Sequence, residues 1–361
     1  MKYQLMLLLF ICLTLLLVGV TKVLLWDDYT WSCEDLNGFP VFSKGWYPHS
    51  HALTTLTTHQ YHSDKTEGVF KSFEQYVRSV LGNFSTDERL CDRRLWVRLK
   101  STQTTNSDIS HLAFLLGLGN DQPIPISAPF VLITTDGDNT PQTASLRKEF
   151  DYLLRIPELN KWYSQNCESD HPKMRPIPIG LDLHTYAMKR SQLATLRQPW
   201  TLLLTESHEL MNEMNTINLS GPSTREQTIV YDLGSSTHPE RKQVREMLAG
   251  RNSNVTVLRR RQSFVDLWKR YSQCEAGVSV RGNGLDCHRT WEMLYLGMIP
   301  IVRRQHSPFD RLFEGLPVVV VDDWKELLRE DIMQRIRAVR TAYPSSTPWL
   351  HEEYWLADYE K

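Results

Sequence analysis

The sequence predicts an α/β protein in which two Rossmann-like domains follow a single N-terminal transmembrane helix. Short apolar runs, each followed by a polar turn, alternate with helical patterns, most regularly between about residues 200 and 340. Strands that alternate with helices in this way form parallel sheets through right-handed crossovers. The transmembrane helix is predicted from one long apolar segment near the N-terminus, which no later segment matches in length.

That apolar segment, Leu5–Val20, contains a single polar side chain, Thr14. A helix continued from Leu5 to Trp26 would span roughly 33 Å at about 1.5 Å per residue, enough to cross the hydrocarbon core of a membrane. Lys2 precedes the segment and two aspartates follow it, which predicts a cytosolic N-terminus and a single-pass type II topology. A cleavable signal peptide is the alternative, but bulky residues occupy the place of its small-residue cleavage site.

The composition shifts divide the chain into consecutive parts. These are a cytosolic tip with the signal-anchor helix (1–26), a luminal stem (27–65), an N-terminal α/β domain (66–199), a C-terminal Rossmann-like domain (200–345) and a tail (346–361). An amphipathic helix is predicted at Val69–Leu81 and a loop at 101–110. The predicted strands are Phe130–Thr134, Trp200–Leu204, Thr228–Tyr231, Val255–Leu258, Ala276–Val280, Met298–Val302 and Val318–Val321. One predicted helix between them ends at Leu248. The others cover Ser263–Tyr271, Cys287–Leu296 and Trp324–Arg340.

Charge and cysteine spacing exclude several classes of protein. The net charge is −1, from 41 basic and 42 acidic side chains, which argues against a general binder of nucleic acid or membrane surfaces. No cysteine pair has the CxxC spacing of zinc sites or of thioredoxin-like redox motifs. Three acceptor sequons, at Asn83, Asn218 and Asn254, agree with a luminal location and predict N-glycosylation.

The segment from Val278 to Glu292 carries the strongest chemical pattern. A predicted strand runs into Gly282 and Gly284, which permit positive φ and close approach of the backbone to a ligand. The amides that open the helix after Asp286 form an anion site. Arg281 and Arg289 flank that helix start and can make bidentate contacts to a diphosphate. Glu292 lies one helical turn beyond Arg289, where its carboxylate can accept hydrogen bonds from a ribose diol.

The same segment has a purely structural interpretation. Its glycines can serve only to make a strand–turn–helix junction, and Arg289 and Glu292 can form an ordinary surface ion pair at i,i+3 spacing. A bare GNG is weak evidence beside the full dinucleotide-binding fingerprint.

The run RGNGLDCHRTWEMLYLGMIPIV, Arg281–Val302, resembles the C-terminal signature of exostosin-type glycosyltransferases of family 47. That signature joins a glycine-containing loop, an arginine, a glutamate on a helix and a G-x-I-P-[IV] strand entry, here Gly297–Ile301. The resemblance implies a GT-B fold that binds a nucleotide sugar in the C-terminal domain, usually without a metal. It implies that Arg281 and Arg289 contact the diphosphate and Glu292 the ribose. The donor site is expected to include Gly282, Asn283, Gly284, Asp286 and His288 as well.

A second loop has a weaker pattern. Thr237 and Arg241 lie where a predicted strand turns into a helix, and in a GT-B domain the equivalent loop can face the donor phosphates. The same residues also fit a plain helix cap, with Thr237 or Ser236 at the N-cap position.

Asp136 and Asp138 follow a predicted buried strand and have the D-x-D spacing that holds Mn²⁺ and a sugar diphosphate in the GT-A fold. The sequence DGDN is also an ordinary turn. In a GT-B enzyme this strand end would face the cleft between the domains, where either aspartate could deprotonate an acceptor hydroxyl. His171, Lys173 and Asp182 are further candidates for that cleft, with a structural loop as the alternative.

These patterns predict a Golgi type II membrane glycosyltransferase that moves a sugar from a nucleotide-sugar donor to a glycan or glycoprotein acceptor, with inversion and without a metal cofactor. The expected partners are the nucleotide sugar, the acceptor and the membrane through one N-terminal helix, and not nucleic acid. Two alternatives stay open. One is a metal-dependent GT-A-like transferase with Mn²⁺ at Asp136 and Asp138, and the other is a non-catalytic anchored protein that binds glycans or nucleotide sugars.

Overall fold

The structure of the protein is a computed structural model. It describes residues 73–82, 94–98, 108–135, 137–138, 140–182, 200–222, 224–232, 237–249, 255–258, 260, 262–343 and 354–355. The predicted signal-anchor helix and stem lie outside the described residues. Within the described ranges, no helix combines the length and apolarity that crossing a membrane requires.

Four parallel strands form the first sheet, in the order β1-β2-β3-β4. They are β1 (Arg94–Arg98), β2 (Phe130–Thr135), β3 (Leu159–Ser164) and β4 (Met174–Pro176). The helices of this part are α1 (Phe73–Leu81), α2 (Asp108–Leu115) and α3 (Arg147–Leu154). Every residue of β2 is buried, as expected for a central strand that helices cover on both faces. Trp162 and Leu153 lie in the same core at 0% exposure.

Five parallel strands form the second sheet, in the order β6-β5-β7-β8-β9. They are β5 (Glu226–Tyr231), β6 (Val255–Val257), β7 (Cys274–Val278), β8 (Ile299–Arg303) and β9 (Val319–Val321). The helices are α4 (Trp200–Leu219), α5 (Pro239–Leu248), α6 (Phe264–Gln273), α7 (His288–Tyr295) and α8 (Ile332–Ala342).

Helices cover both faces of the second sheet. Val230 of β5 packs in one core with residues of α4, α6 and α7, whereas its neighbour Ile229 packs in another core with residues of α5 and α8. Successive strand residues point to opposite faces, so the two cores lie on opposite sides of the sheet. The predicted α/β class with parallel sheets is confirmed, and the arrangement is compatible with Rossmann-like domains.

All five strands run parallel, but the direction in which the chain adds strands across the sheet reverses between β5 and β7. The chain goes from β5 to its neighbour β6 on one side, and then returns to place β7 on the other side of β5. In open parallel sheets, ligands bind in the crevice that such a switch leaves outside the carboxyl ends of the strands. The segment singled out in the sequence, 281–292, begins three residues after the end of β7 at Val278.

Several predicted elements are wrong. Trp200–Leu204 is the first turn of helix α4 and not a strand, since a short apolar run does not by itself distinguish strand from helix. The predicted helix Trp324–Arg340 is a 3₁₀ helix at Trp324–Leu328 followed by α8, because the extended backbone at Arg329 ends the first helix before the second begins. Helix α2 begins inside the predicted loop 101–110.

Candidate functional site

The carboxyl edges of the two sheets contact each other through their loops. Asn283, after β7, donates a hydrogen bond from Nδ2 to Oδ2 of Asp138, after β2, at 3.1 Å. The amide of Asp286 donates to Oδ1 of Asn166, after β3, at 2.9 Å. All three loops leave the carboxyl ends of parallel strands, so the contacts define a cleft of the kind in which α/β proteins bind ligands.

Asn166 joins the loops of the two sheets. Its side chain is 1% exposed and, besides accepting from Asp286, donates from Nδ2 to the carbonyl of Gly137 at 3.1 Å. Its φ is +52°, in the left-handed region that asparagine tolerates better than most residues. A left-handed turn with both ends of the amide in use fixes the position of the 281–287 loop against the first sheet.

One of the two roles predicted for the glycines of the 281–287 loop is wrong, and the other, close approach to a ligand, stays a prediction. Neither Gly282 nor Gly284 has a positive φ, so the expectation of left-handed backbone is wrong. Close packing explains Gly284, because a Cβ there would lie 3.0 Å from Nδ2 of Asn166 and 3.2 Å from the carbonyl oxygen of Asp138. At Gly282 a Cβ would meet only side-chain atoms, at 3.3 Å from Arg241 and 3.4 Å from Thr237.

Asp286 is an internal anchor of the loop. The residue is 4% exposed, and its carboxylate accepts hydrogen bonds from the amides of Ile179 (2.7 Å) and Cys287 (2.8 Å) and from Nε1 of Trp291. Burial raises the pKa of Asp286 to about 6, while these three donors act in the opposite direction. With both oxygens engaged, the carboxylate links helix α7 to the segment after β4.

The first turn of α7 is held on two sides. Nδ1 of His288 lies 2.7 Å from the carbonyl oxygen of Gly180, and Oγ1 of Thr290 lies 2.8 Å from Oγ of Ser279. The helix begins after Cys287, whose side chain makes no capping hydrogen bond. The N-terminus of α7, whose amides were predicted to form an anion site, has the Asp286 carboxylate beside it, 2.8 Å from the Cys287 amide.

Arg289 and Glu292 lie in a buried group of charged side chains. Nε of Arg289 is 2.9 Å from Oδ1 of Asp232, which directly follows β5, and the two side chains are 11% and 8% exposed. Glu292 is 2% exposed. Burial acts to lower the pKa of Arg289, but Asp232, followed by Tyr271, Cys287 and Glu292, raises it well above its usual value. The alternative prediction, an exposed ion pair of Arg289 and Glu292, is therefore wrong, because both side chains are inside the protein.

Arg241, on helix α5, holds the start of the 281–287 loop through hydrogen bonds to its backbone. Its Nε donates to the carbonyl of Arg281 at 2.9 Å and its Nη2 to the carbonyl of Val280 at 3.2 Å. The residue is 8% exposed, so its guanidinium is inside the protein and orients the loop through these hydrogen bonds. The N-cap of α5 is His238, whose Nδ1 accepts from the amide of Glu240, so the predicted cap at Thr237 or Ser236 is wrong.

A small crevice opens beside this loop, at the carboxyl ends of β7 and β8. Charged side chains in its wall are Arg281, Arg303 and Glu240. Nε of Arg303 lies 2.6 Å from Oε1 of Glu240, and Nε1 of Trp324 donates to the same oxygen at 2.6 Å. Burial lowers the pKa of Arg281, an effect that Glu240 opposes and the like charge of Arg303 reinforces. Arg303 therefore pairs directly with Glu240, while Arg281 feels the negative charges of Glu240 and Glu168 without a direct contact.

The three residues predicted to line the cleft after β3, His171, Lys173 and Asp182, differ in where their side chains lie. Lys173 donates from Nζ to the carbonyl of Ile156, in the turn before β3, so it points to the amino end of the strand and away from the cleft. Burial lowers the pKa of this lysine. Nδ1 of His171 accepts from the amide of Lys173 within its own turn. Asp182 is the last described residue before 200 and stays a prediction.

The structure describes only some of the predicted metal and glycosylation sites. In the described part of the chain, no group of three or more His, Cys, Asp or Glu side chains is arranged to hold a metal ion. Asp136 lies outside the described residues, as do the sequon positions Asn83 and Asn254. Asn218 is exposed near the end of α4.

Sequence reasoning missed three residues of this site, namely Asn166, Asp232 and Arg303. Asp232 and Arg303 were detectable, because one directly follows and the other ends a strand of the second sheet, and carboxyl ends of parallel strands share one edge. Asn166 gave no such signal, since β3 reads as Leu-Asn-Lys-Trp-Tyr-Ser and lacks an apolar run.

Comparisons with known proteins add no family to this description. A scan against protein-family models found none that matches the chain, and a search of curated proteins found no similar sequence.

Proposed function

We propose that the protein is a Golgi type II membrane glycosyltransferase of GT-B architecture. It would transfer a sugar from a nucleotide-sugar donor to a glycan or glycoprotein acceptor on the luminal side, with inversion and without a metal cofactor. The observation that carries the proposal is the position of the 281–292 segment. It lies at the switch between β5 and β7, leads into a helix that the Cys287 side chain does not cap, and faces loops of a second parallel sheet.

The chemistry follows from the charges at that position. The donor's diphosphate leaves with developing negative charge, which the Arg281 guanidinium and the N-terminus of α7 are suited to stabilise. The acceptor hydroxyl oxygen forms a bond to the anomeric carbon as the bond from that carbon to the diphosphate oxygen breaks. The hydroxyl proton passes to a carboxylate, for which Asp138 in the cleft and Asp136, two residues earlier in the sequence, are the candidates.

A non-catalytic nucleotide-sugar-binding protein is the second candidate. It is favoured by the internal use of Arg289 and Asp286, which the structure engages with Asp232 and with backbone amides. The metal-dependent alternative at Asp136 and Asp138 is tested by adding EDTA to an active preparation, since loss of transfer that Mn²⁺ restores would favour it.

A thermal-shift panel tests the proposal. The full chain in detergent is heated with each of a set of nucleotide sugars, and the stabilising donor is then incubated with glycan acceptors. We expect at least one nucleotide sugar to raise Tm and to yield an acceptor heavier by one sugar residue, because ligands that bind the native state stabilise it. Arg281→Gln should lose both effects. Stabilisation without any transfer would favour the binding protein, and no stabilisation by any donor would defeat the proposal.

A further inference from the structure

The crevice beside the 281–287 loop has more positive charge than its own residues neutralise. Its wall contains Arg281, Arg303 and Glu240, two guanidiniums against one carboxylate. Burial, and then Arg281, lower the pKa of the neighbouring His238, which favours its uncharged form. Arg241 adds a third guanidinium behind the wall, and its N–H groups face backbone carbonyls. Such a site attracts an anion.

Nε of each wall arginine is enclosed by the protein and makes no hydrogen bond with a described residue. Among the described residues, Arg281 donates one hydrogen bond, from Nη2 to the carbonyl of Asn283 at 3.2 Å, and its Nε has no partner. Nε of Arg303 is close to Glu240 but makes no aligned hydrogen bond with any described residue. Because both Nε atoms are enclosed, a phosphate would meet the Nη ends of these guanidiniums, whose planar arrangement suits phosphate oxygens.

Accessibility distinguishes Arg303 from Arg289. The Arg303 side chain is 37% exposed and lines an open crevice, whereas Arg289 is 11% exposed and is paired with Asp232. A phosphate that binds Arg303 competes with Glu240 for a half-exposed side chain, whereas one that binds Arg289 must break a pair in which both partners are enclosed. The sequence pattern offered Arg281 and Arg289 as the pair for a diphosphate, and the structure offers a different second arginine.

We propose that Arg281 and Arg303 together bind the diphosphate of the donor, and that Glu240 weakens this binding by competing for Arg303. The inference rests on the proposed function and names which side chains serve it. Glu240 is suited to this competition because Trp324 holds its carboxylate in place whether or not Arg303 turns to a phosphate. Arg289 is then a positioning residue that fixes α7 against the end of β5.

Paired substitutions test the proposal on the full chain in detergent. Arg303→Gln should weaken binding of inorganic pyrophosphate and of UDP and GDP about tenfold or more, as removal of a charge-assisted hydrogen bond predicts. Arg304→Gln is the matched control, because Arg304 is the next residue, is 44% exposed and does not line the crevice. Its Nε pairs with Oδ1 of Asp322 at 2.8 Å. Its affinities should stay within about twofold of the wild type.

Glu240→Gln separates a binding role from a structural one. The glutamine oxygen can still accept from Trp324, but the competing charge is gone, so pyrophosphate should bind about threefold to tenfold more tightly. A role of the ion pair in folding alone would not strengthen binding. Titration calorimetry measures all four proteins, and circular dichroism confirms that each is folded.

The outcomes separate this inference from the proposed function. Pyrophosphate binding that depends on Arg303, in a protein that no nucleotide sugar stabilises, would support the anion site and defeat the glycosyltransferase. Stabilisation by a nucleotide sugar that Arg303→Gln leaves unchanged would support the glycosyltransferase and overturn the role of Arg303. A wild-type protein that does not bind pyrophosphate, UDP or GDP overturns both.

Discussion

Replacing Asn166 with alanine removes the side chain that joins the loops of the two sheets. Oδ1 of Asn166 accepts from the buried amide of Asp286 at 2.9 Å, and Nδ2 donates to Gly137. Alanine would leave the Asp286 amide without this acceptor, at a cost of about 1–3 kcal/mol. The carbonyl of Gly137 is less affected, because Nε2 of Gln165 also donates to it at 2.8 Å.

The backbone adds a second cost. At φ +52°, an alanine in place of Asn166 occupies the left-handed region at about 1 kcal/mol or more. We therefore expect Asn166→Ala to lower the free energy of unfolding by about 3 kcal/mol, and Asn166→Gly by about 2 kcal/mol, because glycine adopts that φ without strain. Asn212→Ala, on an exposed position of α4, should change it by less than about 0.5 kcal/mol.

Urea unfolding, followed by tryptophan fluorescence and circular dichroism, measures these differences. The two probes also report whether the sheets unfold together, which the linear extrapolation requires. An Asn166→Ala protein as stable as the wild type would refute the reasoning that this side chain holds the two loops together. Equal losses for alanine and glycine would refute only the contribution assigned to φ.

Three further predictions concern the same loops. Gly284→Ala should cost about 1–3 kcal/mol because its Cβ meets the carbonyl of another loop, while Gly282→Ala should lie near the wild type in the same urea experiment. The pKa of Asp286 is about 6 against an ordinary 3.8, so its contribution to stability is fully present below about pH 4 and is lost as pH rises through 6. Between about pH 4 and pH 7 the stability of the wild type relative to Asp286→Asn should therefore fall by about 3 kcal/mol, and a difference independent of pH would contradict the shift. Arg289→Met should cost about 3–5 kcal/mol because Asp232 is left buried without its cation, and adding Asp232→Asn should restore part of that loss; additive losses would argue against the pair.

The fold class could be predicted from the second sheet, where the strands have apolar runs. The predicted Thr228–Tyr231 and Met298–Val302 differ from β5 and β8 by only one or two residues at their ends. The first sheet was harder, because β3 is half polar and only its pairing with β2 and β4 shows that it is an inner strand. The strand predicted at Trp200–Leu204 failed because a short apolar run fits both secondary structures.

The location of the candidate site could be predicted from the sequence, but the burial of its charged side chains could not. Residues after β7 were expected to bind a ligand, and they lie at the switch point. Burial was not predictable, since nothing in the spacing of Arg289 and Glu292 distinguishes a surface pair from an internal one. For that reason Arg289→Ala is a poor test of binding, as its effect on stability would mask its effect on the donor.

Titration calorimetry of the full chain with nucleotide sugars tests the central claim most directly, since a glycosyltransferase must bind its donor. The account predicts saturable binding of one molecule per chain for at least one nucleotide sugar. It also predicts that Arg281→Gln weakens this binding about tenfold or more while Arg304→Gln does not. Absence of binding by every nucleotide sugar, or equal binding by the Arg281→Gln protein, would contradict the account.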